Sequence, residues 1–231
     1  MAWTPQTTGA AADNVVSLAV TAGDLIFVGF GWGSGTLTHL TSITDDASNS
    51  YTLLTGAADS GNSQSSRGGW AIANSTATLT ITGNGISGYS YKNALAASYR
   101  EAGTLSFVAQ ATGFAVFGTA TDAITTGNMT PSAVGDLIVC FTQNTGYGTL
   151  TLNPGTGYTL AVANAANPSR SCLIEYRTAA STSAQASTAT HSNSSEEALF
   201  SAVFTTTGGA SPKAFPPVRS SGYRIAPLLN F

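Results

Sequence analysis

Two stretches of the chain are apolar at almost every position: Leu25-Ile-Phe-Val-Gly-Phe-Gly-Trp32 and Leu137-Ile-Val-Cys-Phe141. Each follows a Gly-Asp pair, Gly23-Asp24 and Gly135-Asp136. A tight turn feeding a run of β-branched and aromatic side chains predicts a buried strand. Elsewhere the pattern alternates. In Thr76–Thr82, Ala77, Leu79 and Ile81 oppose Thr78, Thr80 and Thr82, and Leu37–Thr44 alternates in the same way, so both predict half-buried strands. Further strands are expected at Val15–Val20, Tyr51–Leu54, Gly69–Ala73, Ala94–Arg100, Leu105–Gln110 and Phe114–Phe117. Residues 1–12 read as a polar lead-in. Gly31–Gly35, Asp45–Ser50, Ala57–Ser66 and Asn84–Asn93 read as turns and loops. No long segment has a 3.6-residue period with helix caps, so the chain is expected to be all-β.

The apolar run is one member of a longer repeat. Ser50-Tyr-Thr-Leu-Leu54 returns as Gly157-Tyr-Thr-Leu-Ala161, Arg67–Ile72 returns around Arg170–Ile174, and Ala94–Arg100 returns as Ala198–Phe204. The Ala/Ser/Thr-rich segment Ala179–Ser195 takes the place of the Thr76–Thr82 strand. A spacing of roughly a hundred residues is too long for a solenoid unit and suits half of a large β domain. The expected architecture is a single β-sandwich of two pseudo-repeated halves, about 13–110 and 111–207, followed by an extended arm over 208–231.

Composition narrows the picture. The 231 residues are 42% hydrophobic and only 8% charged, so the polar surface must come from Ser, Thr, Asn and Gly. A net charge of −3 gives no electrostatic reason to expect nucleic acid as a partner. No apolar run approaches the ~20 residues of a membrane-spanning helix. Met1–Gln6 carries no basic region and no apolar h-region, so export by the general route is not expected. Cys140 and Cys172 sit in apolar strands and are expected to be buried, reduced thiols. The last segment changes character: Pro212, Pro216, Pro217 and Pro227 accompany Lys213, Arg219 and Arg224, with no acid among them. This arm carries +3 and the rest of the chain −6. Proline holds it extended, yet it ends in Ile225, Leu228, Leu229 and Phe231. The expectation is an arm that docks on a partner through Pro216, Pro217, Arg219, Arg224 and those four apolar side chains.

The order Gly-Asp-Leu-Ile-Phe-Val, then Thr44-Asp45-Asp-Ala-Ser-Asn49-Ser-Tyr51, then Arg67-Gly-Gly-Trp70-Ala, then Leu79-Thr-Ile81, then Ala97-Ser-Tyr99-Arg-Glu101 resembles concanavalin-like jelly-roll domains of bacteriophage structural proteins and some bacterial surface proteins. The pattern departs at Ser48, where those domains carry a hairpin glycine, and at Asn153-Pro-Gly-Thr-Gly157-Tyr158, which lacks the aspartate. The resemblance covers about residues 13–207. It implies a jelly-roll fold and a virion role, as a capsid decoration or fibre-type protein made in the host cytoplasm, with other virion proteins and copies of itself as partners.

Candidate chemistry is sparse. Asp45, Asp46 and Asn49 form the one dense acidic turn; hard oxygen ligands on a loop suit Ca²⁺, but Asx turns account for the same residues and are preferred. Glu101, Glu175, Glu196 and Glu197 would need to converge in pairs to act as glycosidase carboxylates. His39 and His191 have no partner at a metal spacing, and no nucleophile elbow occurs. No catalytic residue, metal or cofactor is expected. Trp32, Tyr89, Tyr91 and Tyr147 lie in Gly-rich loops, where aromatic rings can stack on sugars; a glycan-binding module is therefore the alternative function, ahead of a glycan-degrading enzyme.

Overall fold

The computed structural model describes residues 3–58, 64–115, 123–144, 151–164, 171–191 and 197–208. These are all-β apart from one 3₁₀ turn at Leu37–His39. The first half contributes β1 (Thr4–Ala11), β2 (Val15–Val20), β3 (Leu25–Trp32), β4 (Ser42–Thr44), β5 (Thr52–Leu53), β6 (Ala57–Ala58), β7 (Ser65–Ile72), β8 (Ala77–Asn84) and β9 (Asn93–Arg100). The second contributes β10 (Thr104–Ala115), β11 (Ala123–Thr125), β12 (Leu137–Asn144), β13 (Leu152–Pro154), β14 (Thr159–Asn164), β15 (Cys172–Thr178), β16 (Thr188–His191) and β17 (Glu197–Thr207).

The repeat is present in the hydrogen bonding as well as in the sequence. One antiparallel sheet runs β1-β9-β3-β7-β5, with β6 beside β7, and its counterpart runs β10-β17-β12-β15-β14. The smaller sheets are β2-β8-β4 and β11-β16-β13. Every main strand of one half therefore has an equivalent in the other, and the halves meet at Glu101–Gly103. This moves the boundary seen in the sequence. Residues 4–11 are a strand rather than a lead-in, because β1 lies along β9, and its equivalent β10 opens the second half instead of bridging the two.

Each half closes on its own core. In the first, Ile26, Val28, Phe30 and Trp32 of β3 pack with Val16, Leu18, Leu79 and Ile81 of the small sheet. In the second, Cys140 and Leu199 meet Ile124 and Ala189, while Ile138 and Val203 meet Met129. The other faces of the large sheets pack on each other. Leu25, Phe27, Leu95, Ala97 and Tyr99 share one cluster with Leu137, Val139, Phe141, Ile174, Phe200 and Phe204. The expected single sandwich is thus a four-layer stack, with Leu25, Phe27, Leu137 and Val139 in a common core as expected. β3 and β12 are buried at all eight positions because both of their faces are covered, which is why β3 and the first five residues of β12 read as unbroken apolar runs; β12 continues through the buried polar Thr142, Gln143 and Asn144.

The contact between halves is steric as well as apolar. A Cβ at Gly29 would overlap the Phe141 ring, and one at Gly31 would overlap the Gln143 amide. Phe200 lies between Phe27, at 5.8 Å, and Phe141, at 5.3 Å, and Trp70 stacks on Phe107 at 6.0 Å. Gln110 of β10 reaches across to Thr55, accepting from its N–H at 3.0 Å and donating to its Oγ1 at 2.7 Å.

The two cysteines are free and buried, as expected. Cys140 faces the core of the second half and Cys172 the contact between halves, so they lie on opposite faces of one sheet and cannot bond.

The close approach at Gly29 gives a direct test. Gly29→Ala should lower stability by about 1–3 kcal/mol through overpacking. In the double variant Gly29→Ala/Phe141→Leu the two losses should add to less than their sum. Urea denaturation of the four proteins of this cycle reads the coupling.

Candidate functional site

The Gly-Asp turns are built alike. Gly23 and Gly135 hold φ of 89° and 94°, a region where a side chain is strained. Each donates its N–H across the sheet, Gly23 to the Ala73 carbonyl and Gly135 to that of Ala179, both at 2.8 Å. Asp24 Oδ2 accepts the Thr21 N–H, and Asp136 Oδ2 accepts from Ser132 N–H, Ser132 Oγ and Ala133 N–H. Both carboxylates are buried. Asp24 also holds Arg100 by two bonds, Nε to Oδ1 at 2.7 Å and Nη2 to Oδ2 at 3.1 Å. That carboxylate and its hydrogen bonds raise the affinity of Arg100 for its proton. A cavity of about 200 Å³ borders each turn. Gln6, Thr7, Thr21, Asp24 and Arg100 line the first, and Trp3, Glu101, Val134, Asp136 and Thr205 are among those lining the second.

The acidic turn is a hydrogen-bonded hairpin corner. Asp45 Oδ1 accepts the N–H of Ala47 and of Asn49, and Oδ2 accepts from Asn49 Nδ2 and the Tyr51 hydroxyl at 2.8 Å each. Asp46 Oδ1 accepts the Thr80 N–H at 3.0 Å, and that bond holds its carboxyl below the usual range. Asn49 Oδ1 accepts from Asn74 N–H at 2.8 Å. Both Asp45 oxygens, Asp46 Oδ1 and Asn49 Oδ1 are thus engaged by protein donors; the Asx reading holds for Asp45, while Asp46 and Asn49 bond to Thr80 and Asn74 on other segments. No group of three or more metal-ligating acidic, His or Cys side chains occurs among the described residues. Ser48, in the place of the expected hairpin glycine, takes φ of 57°, so the turn keeps its left-handed position without glycine.

The aromatic candidates separate. Trp32 is fully buried in the core of the first half, opposite Ser65. β3 does not dissolve at Gly31 but continues through it, so Trp32 is withdrawn from any glycan surface. Tyr89 stacks on His39 at 4.5 Å between ring centroids, and its hydroxyl lies 3.1 Å from His39 Nε2. Tyr91 is 42% exposed with φ of 57°. These three share one loop-bearing end of the first half. Tyr147 lies outside the described residues, as do Pro216, Pro217, Arg219, Arg224, Ile225, Leu228, Leu229 and Phe231.

The glutamates do not gather into a described pair. Glu175 stands opposite Cys140 and Glu197 opposite Asn144, four positions further along β12 and on its other side. Both are buried. Glu101 lies in the turn between halves, and Glu196 is outside the described residues. Glu175 occupies the core of the second half, where its Oε2 accepts the Gly155 N–H at 2.8 Å. Burial pushes its carboxyl up to about 8, against the lesser opposing effects of the Gly155 bond and Arg177. Burial, with the Glu175 charge added, likewise raises the Cys140 thiol well above its usual range, so this cysteine is inert.

In comparisons with protein families, characterised proteins and solved structures, no match to this chain was found.

Reasoning from the sequence passed over the Asp24–Arg100 pair and the cavity beside Asp136. The signal that could have found them was present. β3 sets Leu25 opposite Tyr99, and β12 sets Leu137 opposite Phe204. The last strand of the repeat therefore aligns one residue away from the apparent match, with Thr205 in the place of Arg100. Similarly, Trp70 is equivalent to Tyr176, so the Arg67 strand does not match the segment around Arg170.

Glu175 predicts a pH dependence. Its folded value lies above the ordinary 4.5, so the folded state holds the proton across the window from about 4.5 to 8 and loses stability as pH rises through it. Glu175→Gln stays neutral throughout. Thermal melts should show the variant gaining on the natural protein as pH rises through that window, by up to roughly 4–5 kcal/mol at the upper end.

Proposed function

We propose that this chain is a non-catalytic structural component of a bacteriophage particle, of the capsid-decoration or fibre type. In this reading it docks to other virion proteins or to copies of itself through residues 208–231. The observation that carries the reading is strand order. Setting the two-residue β6 aside, each half places its first, eighth, third, sixth and fifth strands side by side in one sheet, and its second, seventh and fourth in the other. Eight strands shared in that order between two facing sheets support a jelly-roll reading, an architecture of viral capsid and lectin domains, with the fifth strand added to the larger sheet. Two such halves fused through their large sheets form a stiff block that presents edges and loops outward. A surface poor in charge and rich in Ser and Thr suits burial against other protein.

The step from fold to role is an analogy, so the test must read the role itself. The full chain should purify with particles in a fixed whole-number ratio to a capsid or tail protein. Deleting residues 209–231 should abolish that attachment while the melt of the body is kept. A chain found only free of particles, or a truncated chain attached at full occupancy, would sink the proposal.

A second reading, glycan binding, draws on one observation: Tyr91, two residues beyond the Tyr89 that stacks on His39, is exposed and at a φ that side chains seldom adopt. Aromatic faces of this kind stack on sugar rings. If the reading holds, a glycan array should show binding that Tyr91→Ala reduces at least tenfold. Equal binding by the two proteins would remove it.

A further inference from the structure

The internal repeat supplies its own comparison at the two Gly-Asp turns. In the first half, the buried Asp24 carboxylate carries the Arg100 guanidinium by two charge-assisted bonds. In the second half the turn, the glycine and the buried aspartate are all retained, but Thr205 stands where Arg100 would. The three bonds to Asp136 all fall on Oδ2 and come from Ser132 and Ala133, within its own turn. Among the described residues the ion pairs are Lys92–Asp13 and Arg100–Asp24, so no described cation answers Asp136. The room for one is there. The cavity of about 200 Å³ at this turn is lined by Asp136 and Glu101, with Trp3 and Val134 as apolar walls. Val134 is 69% exposed, high for a large apolar side chain.

The chain itself holds the missing charge close by. Thr205 and Thr206 line the cavity, and β17 ends one residue later at Thr207. Gly208 then turns with φ of 77°, and the segment beyond it contains Lys213, Arg219 and Arg224 with no acid. Lys213 is the fifth residue after Gly208, a reach of up to roughly 17 Å in extended chain. That is enough to bring an ammonium back to a cavity that begins two residues before Gly208.

We propose that the junction cavity is the receptor for the chain's own basic C-terminal segment, with Lys213 set between Asp136 and Glu101 as Arg100 is set on Asp24. An ammonium there gains two carboxylates, one of them buried, and the stem of Lys213 covers Val134 and Trp3. The contact pins the base of the arm to the seam between the halves. The inference deepens the docking-arm reading and rests on it only for the use of that arm. It concerns the isolated chain, so its failure and a failure to find the protein on particles are separate results.

Lys213 is one of two lysines, the other being Lys92, which makes the test simple to read. Full-length protein, mixed in equal parts with ¹⁵N-labelled protein, is treated with a water-soluble carbodiimide that joins amines to carboxylates in contact. The expected product links Lys213 to Glu101 or Asp136 within one chain. It should fall at least tenfold in 0.5 M salt. Thr205→Arg should abolish it by supplying the missing guanidinium in place, with the melting temperature kept or raised. Glu101→Gln, a substitution at a half-buried turn position, should remove the Glu101 link without altering the melt. Coupling between chains would overturn the assignment to the chain's own segment. Coupling absent from the natural protein, or unchanged in a folded Thr205→Arg protein, would overturn the site.

Discussion

The back-to-back contact of the two large sheets is the constraint on which the remaining structure depends. Burying a Phe or Leu side chain contributes about 1.5–3 kcal/mol. The face holding Leu25, Phe27, Tyr99, Leu137, Phe141, Phe200 and Phe204 is therefore a large part of what stabilises the chain. It explains the sequence at several points. β3 and the Leu137–Phe141 part of β12 are apolar on both sides because neither side meets water. Gly29, Gly31 and Gly68 lie on the first half's strands because Phe141, Gln143 and Phe200 press against their backbone. The aromatic pairs Phe27–Phe200, Trp70–Phe107 and Tyr99–Tyr176 all cross this seam.

Polar groups divide the halves differently. The core of the first half admits the small hydroxyls of Ser65 and Ser98, opposite Trp32 and Ile26, while that of the second admits Glu175, Cys140, Thr142, Ser187 and Ser201. Glu175 stands where the first half has Gly69, so a carboxyl has entered a position that was backbone contact in its counterpart. Such a group must be neutral or well bonded, and it ties the second half to proton concentration in a way the first half is not.

Much of the architecture was legible in the sequence, for identifiable reasons. Residues 25–32, 77–84 and 93–100 show a strong apolar run or a clean alternation, and they are strands. The Ala/Ser/Thr-rich 179–195 was legible only through the repeat, and it does supply β16 opposite β11. β1 was not legible because its edge position leaves alternate side chains exposed, and Thr, Gln and Gly satisfy that pattern without apolar residues. Leu37–His39 alternates like a strand but turns as a 3₁₀ segment, since three residues are too few for period alone to decide. Two sheets per half were hidden because pattern reports that a face is buried, not what covers it. Among the site residues, Asp45 was legible because Asx chemistry is local, whereas the bonds of Asp46 to Thr80 and of Asn49 to Asn74 join distant segments and were not. Trp32 and Arg100 were not, because their surroundings are set by strands from elsewhere in the chain.

Position 29 in the first half and position 141 in the second are equivalent in the repeat, and they touch each other, as do 31 and 143. Contact between equivalent positions is the mark of a two-fold interface, the arrangement that two identical copies would use. Here the copies are no longer identical at that spot: one carries a hydrogen and the other a benzyl group. Two first halves brought together would leave a void, and two second halves would drive ring into ring. The glycine–phenylalanine pair thus works as a lock with one key. It favours pairing of a first half with a second half and disfavours the like-with-like pairing that a symmetric duplication would allow.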